Sequence, residues 1–248
     1  MHPKEPSQTS QKVTAPSTKT RERVLQAALK AFGHRDYDGV STRQIVERAG
    51  ANISAISYHF GGKHGLYLAT AAYLAEKLHA SHREPMAQIQ AEIKEMAPGA
   101  ADPVRCRQLL QKLLQGFAES ILTSELGEDA PGFIFREQNH PTQAFDILYT
   151  RLLEPMHTTL TQLVVLIRGL PTSHHREAYL VSHALLGQVI AFRSARATLL
   201  RCLNQSSYNT RDIAEITRLV ATLANHALDY PDLDQVPLEQ PPQKKAAP

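Results

Sequence analysis

Twelve histidines, eight tyrosines and two cysteines carry most of the side-chain chemistry available to this chain. Tyr58 and His59 stand side by side in the stretch ISYHFGG. A phenol beside an imidazole can exchange a proton, ligate a metal or donate to a polyanion, and it can also simply pack. His79 and His82 lie one helical turn apart, and His174 and His175 are adjacent. Neither pair has a third ligand at a zinc-site spacing, and HExxH is absent. Cys106 and Cys202 form no CxxC and read as reduced, buried thiols, with a redox-sensing pair as the alternative. There is no GxSxG, no phosphate loop and no paired-carboxylate signature. The expectation is therefore a protein that is not an enzyme and holds no metal and no cofactor. That leaves polyanion binding or packing for Tyr58 and His59.

The chain that must position these groups has 248 residues, 42% hydrophobic and 21% charged, which suits one large or two small globular domains. No apolar run approaches the ~20 residues of a membrane span, so no membrane partner is expected. The N-terminal stretch lacks the apolar segment of a signal peptide, and the expected location is the cytoplasm. The net charge of +3 hides an asymmetry: residues 1–65 hold ten Lys/Arg against five Asp/Glu, and residues 66–248 hold seventeen against nineteen. The positive charge is concentrated where a polyanion would be bound.

Eight of the fifteen prolines fall in two polar tails, 1–18 and 231–248, which read as disordered. Between them the hydrophobic pattern is helical and no strand-type alternation persists, so the fold class is all-α. A first helix runs from near Thr20 to Gly33, with Leu25, Ala28, Leu29 and Phe32 on one stripe and Gly33 as a left-handed stop. Ser41 with Gln44 reads as a capping box for a helix over 41–49, ended by Gly50. Asn52 caps a third helix over 53–60, and Gly61-Gly62 separates it from a fourth over 63–82. Further helices are expected at 85–96, 104–124 and 142–168, with a kink at Pro155 that frees the Arg151 carbonyl. Two more follow, split at NQSSYNT. The domains expected are 19–65 and 66–230.

A short helix, a tight glycine turn and a second short helix make a helix-turn-helix, here in a three-helix unit. The second helix must bury one edge and present another that is small and polar enough to enter a major groove about 12 Å wide. Ala51, Ile56 and Phe60 supply the buried edge, while Ser54, Ala55, Ser57, Tyr58 and His59 lie on other faces. Asn52 and Ser54 sit where base edges or phosphate would be met. Thr42, Arg43 and Lys63 suit the DNA backbone.

The stretch 20-TRERVLQAALKAFGHRDYDGVSTRQIVERAGANISAISYHFGGKHGLYLA-69 resembles the N-terminal DNA-binding domain of the TetR/AcrR family of bacterial transcriptional regulators. The resemblance implies that Thr42 and Arg43 contact the DNA backbone. It implies that Asn52, Ile53, Ser54 and Ala55 form the recognition face, and that Ser57, Tyr58, His59 and Lys63 touch phosphates or bases. Ser57 stands where the family usually has Tyr or Asn, and His64 replaces a common Glu. Ile53 occupies an often polar position; it either meets a thymine methyl or turns inward.

The segments 135-FREQNHPTQAFDILY-149 and 183-HALLGQVIAFRSARATLLR-201 are similar to the C-terminal domain of the CecR-like subgroup, whose members respond to small molecules. Phe117, Phe133, Phe135, Phe145, Tyr149 and Met156, with Arg136, Glu137, Gln138 and His140 as polar anchors, form a candidate effector pocket; plain core and a structural or surface Arg136–Glu137 pair are the alternative. Val181, Leu185, Gln188 and Phe192, with Ile216, Leu219 and Leu223, form a candidate dimer interface. The expected function is a homodimeric repressor that binds a pseudo-palindromic double-stranded DNA operator and is released by an unknown small-molecule effector. A regulator of the same fold without an effector, or an activator, is the alternative.

Overall fold

Every regular element of the computed structural model is helical, and it describes residues 15–80, 82–96, 101–124, 126, 129–171 and 175–230. The helices are α1 (Ala15–His34), α2 (Thr42–Ala49), α3 (Ser54–Phe60), α4 (Lys63–Ala80), α5 (Arg83–Glu95) and α6 (Pro103–Thr123). They continue with α7 (Asp129–Asn139), α8 (Gln143–Leu148), α9 (Glu154–Arg168), α10 (His175–Ser194), α11 (Arg196–Leu203) and α12 (Thr210–His226). A π-helical turn, Tyr149–Leu153, joins α8 to α9. Among the described residues no helix is long and apolar enough to cross a membrane.

The chain forms two compact units. The first comprises Met1–His79 with Glu125–Leu152, the second Ala80–Ser124 with Leu153–Pro248. This differs from the division at residue 65 read from the sequence. The first unit takes most of α4, and the chain returns to it as α7 and α8. Its core joins Leu25, Ala28 and Phe32 of α1, Ile45 of α2, Ile56 of α3 and Leu66 and Leu74 of α4 to Phe133 and Leu148. Burying each such side chain stabilises by roughly 1.5–3 kcal/mol, enough for a seven-residue α3 to hold its shape without intrinsic helical stability.

The second unit packs α5, α6, α9, α10 and α12 around Leu110, Leu114, Leu160, Leu163 and Val220. Arg168 fastens its end. The guanidinium donates to Glu177 at 2.9 Å and to the Tyr230 carbonyl at 2.6 Å, and lies over the Tyr230 ring.

Several local expectations are corrected by packing. Gly33 does not end α1 in a left-handed turn; it lies inside the helix. A Cβ on it would fall 2.4 Å from the Asp129 carbonyl oxygen, and one on Gly132 would fall 2.2 Å from the Gly33 oxygen. The pair lets α1 and α7 touch backbone to backbone. Ser41 occupies the extended position before α2 but its side chain makes no capping bond, so the expected box is absent. Pro155 opens α9, with the π turn before it absorbing the irregularity instead of a kink within one helix. A further break at Ala195 divides the stretch before NQSSYNT into α10 and α11. Ala15–Thr18, read as tail, belong to α1, while 1–14 and 231–248 lie outside the described residues.

Candidate nucleic-acid interface

The turn between α2 and α3 is set by two local devices. Gly50 closes α2 in the left-handed region at φ 57°, and the Ala51 amide reaches back to the Val46 carbonyl at 2.9 Å. Asn52 then starts α3: the Ser54 amide and hydroxyl both donate to its Oδ1, at 3.0 and 3.1 Å. That bond engages the carboxamide by its oxygen and leaves its NH2 with donor capacity. Ile56 is the one α3 side chain fully buried, and Phe60 is partly buried with the Arg21 guanidinium 5.5 Å from its ring centre.

The opposite edge of α3 is open. Tyr58 is 82% exposed and Ile53 51%, so Ile53 faces outward and is available to a methyl group in a groove. Asn52, Ser54 and Ser57 are exposed beside them, while Ala55 and His59 are half-buried. The Tyr58 and His59 rings meet edge-on at 4.8 Å. Among the described residues neither has a carboxylate partner, and only Tyr58 of the two is exposed. At the end of α3, Gly61 at φ 71° and Gly62 at φ 125° hold conformations that side chains rarely adopt. Gly65 then passes so close to α3 that a Cβ would fall 1.8 Å from the Phe60 oxygen.

Lys63, first residue of α4, is positioned from an unexpected quarter. Its ammonium sits 4.5 Å from the Tyr37 ring centre and donates to the Asp38 carbonyl at 3.4 Å. The sequence reading did not single out Tyr37; its signal was one aromatic residue in the otherwise polar loop HRDYDGV. Thr42 is half-buried and Arg43 exposed in the first turn of α2.

The candidate effector residues divide between the two units. Phe117 and Met156 pack in the core of the second unit, whereas Phe135, Arg136, His140, Phe145 and Tyr149 belong to the first. Phe135 is 59% exposed, His140 is exposed, and Phe145 lies 6.0 Å from the exposed Tyr149. Arg136 is internally engaged: its side chain, 19% exposed, pairs with Asp36 at 3.0 Å and donates to the Phe32 carbonyl at the end of α1. Its neighbour Glu137 is buried and accepts from Tyr67 at 2.5 Å and from the Thr142 amide and hydroxyl at 3.1 and 2.9 Å. Burial, then this hydrogen bond, pushes the Tyr67 phenol above its ordinary range. The segment FREQ is thus a clamp between α7, α1 and α4.

The candidate dimer residues also divide. Leu185 and Ile216 are buried, and Val181 and Phe192 pack against the core. Gln188 is half-buried with its carbonyl oxygen unpartnered, while Leu219 and Leu223 are exposed. The outward apolar positions on α10 are Tyr179, Leu180 and Ile190, a face the sequence reading did not choose.

An outward recognition edge on a helix-turn-helix, preceding a larger helical unit, defines a DNA-binding transcriptional regulator. Residues 24–70 match the model of bacterial regulatory proteins of the tetR family, and residues 106–229 match the C-terminal domain of the HTH-type transcriptional dual regulator CecR. The chain belongs to the TetR family, with a CecR-type C-terminal domain. It is 30% identical to the HTH-type transcriptional dual regulator CecR of Shigella flexneri over 76% of this chain and 82% of that one. The HTH-type transcriptional repressor AcnR of Corynebacterium glutamicum is 37% identical over 22% of this chain and 29% of its own. Among solved structures, a regulator from Pseudomonas aeruginosa aligns with a TM-score of 0.56 at 15% identity, covering 89% of this chain and 97% of that one. A tetR-family protein from Mesorhizobium loti aligns at 0.52 and 21% identity, covering 86% and 96%. These two support the fold alone.

Proposed function

We propose that the protein is a homodimeric repressor that binds a pseudo-palindromic operator and is released by a small molecule. The observation that carries the reading is the open edge of α3, with Ile53, Tyr58 and Asn52 all exposed. Each subunit places that edge in one major groove, with half-sites separated by about one helical turn or more. Thr42, Arg43, Tyr58, His59 and Lys63 hold phosphates, and Asn52, Ile53, Ser54, Ala55 and Ser57 meet bases. Dimerisation is supported by the outward apolar residues Tyr179, Leu180 and Ile190 of α10 and Leu219 and Leu223 of α12, which a partner copy would cover. Effector binding is supported by the buried, unpartnered Gln188 carbonyl and Thr217 hydroxyl in the second unit, polar groups that a ligand would satisfy. The effector shifts the population toward a conformation with the wrong half-site spacing, and α4 transmits the change.

The test is sedimentation with and without operator, followed by a compound panel read both by thermal stabilisation and by operator release. A dimer that binds palindromic DNA and is released by a stabilising compound fits. A monomer, or a dimer that no compound stabilises or releases, contradicts the corresponding part. A second reading has one specific support: the Shigella relative is described as a dual regulator, so activation at some promoters follows if the bound dimer recruits transcription there. Reporter fusions with the operator moved upstream of the promoter separate the two readings.

A further inference from the structure

The back of α1 and the outer face of α2 enclose a groove of about 570 Å³. Lys30, Ala31 and His34 line it from α1, Gln44, Glu47 and Arg48 from α2, and Arg35 and the buried Val40 from the loop between them. Lys30 and His34, and Gln44 and Arg48, are each four residues apart, so each helix turns one face into the groove. Three of the lining side chains are permanent cations and one is a carboxylate. The His34 ring is held by Asp129 at 2.7 Å. Among the described residues no ion pair engages Lys30, Arg35 or Arg48. Three permanent cations against the one Glu47 carboxylate leave the lining net positive, and a bound anion interacts favourably with that excess. Two guanidinium forks and an ammonium match the oxygens of a phosphate. None of these groups lies on the open edge of α3, yet Gln44 stands in the same first turn of α2 as Thr42 and Arg43.

We propose that this groove is a phosphate-binding site, separate from the base-reading edge. The phosphate comes either from the duplex backbone flanking a half-site or from a free polyphosphate. The full-length triple variant K30Q/R35Q/R48Q is compared with the native chain, with thermal melting to confirm that these exposed substitutions leave the fold intact. In one arm, operator affinity is measured against salt on a duplex trimmed to the half-sites and on one extended at both ends. In the other, pyrophosphate is titrated calorimetrically without DNA. For a backbone phosphate, the slope of log affinity against log salt falls by roughly 2–3 in the variant on the extended duplex. For a free anion, the native chain binds pyrophosphate, the variant binds at least tenfold more weakly, and the operator slope stays unchanged. The charge-keeping variant R35K/R48K retains the slope in the first case and loses part of the affinity in the second. Unchanged slopes on both duplexes with no pyrophosphate binding, or equal pyrophosphate binding by both proteins, overturn the site.

Discussion

Two short helices of the first unit, α3 and α7, each carry aromatic and polar side chains, and the structure uses them in opposite ways. On α3, Tyr58 is 82% exposed, and the exposed Asn52 side chain preceding the helix is held by its oxygen alone. On α7, Arg136 and Glu137 have found their partners inside the protein, in Asp36, the Phe32 carbonyl, Tyr67 and Thr142. A polar group with unspent hydrogen-bonding capacity at the surface is available to a partner; the same group with its oxygens occupied inside the protein is a fastening. Residue type does not separate the two roles. Satisfaction and exposure do.

Glu137→Ala should show the largest effect on stability. It strands the Tyr67 hydroxyl and the Thr142 donors, and chemical denaturation should record a loss of about 2–4 kcal/mol. A stable Glu137→Ala protein with lost DNA affinity would instead move α7 into the interface. Gly132→Ala comes next, at about 1–3 kcal/mol, because its Cβ meets the Gly33 oxygen at 2.2 Å and neither backbone can yield cheaply. Lys63→Ala should leave the melting temperature nearly unchanged. It should weaken all duplexes alike and reduce the salt slope by about 1; loss on one operator alone contradicts a phosphate role. Ile53→Ala, at an exposed site, should change stability by less than about 0.5 kcal/mol. It should erode discrimination at one base pair by roughly 1 kcal/mol, read by competition between operator variants.

The smallest effect belongs to the second unit. His157 stacks on His183 at 5.5 Å, and burial, followed by the charge of His183, lowers its pKa from 6.5. The fold therefore prefers the neutral ring. The unfolded chain takes up its proton first as pH falls through the ordinary value, and stability declines on that side while remaining whole above it. Denaturation at pH 7.5 and at pH 5.5, compared with His157→Gln, should show the variant losing less.

What could be read from the sequence was local. Gly50 and Gly61 close their helices in the left-handed region, as their positions just past apolar periodic runs indicated. Asn52, expected as the cap of α3, stands one residue before the cap position, which Ile53 occupies without a side-chain bond, though Asn52 does accept from the Ser54 amide. What could not be read depends on partners distant along the chain. Glycine serves both a left-handed stop and a close crossing, and only the approach of Gly132 distinguishes them at Gly33. Arg136 and Glu137 resemble pocket anchors until Asp36 and Tyr67 are brought against them. On α10 periodicity defined stripes without ranking them: Leu185 points to the core and Ile190 away from it. Nothing in the local pattern indicated that the chain returns to the first unit at 125–152.

The central claim is that the outward edge of α3 reads bases while the rest of the unit holds it in place. The most direct measurement is selection of preferred binding sites from a random duplex pool by the native protein and by N52A/I53A, at one fixed salt concentration. The account predicts a changed preference at positions inside each half-site, with affinity for random DNA retained. The same preferred sequence bound more weakly by the variant would contradict it.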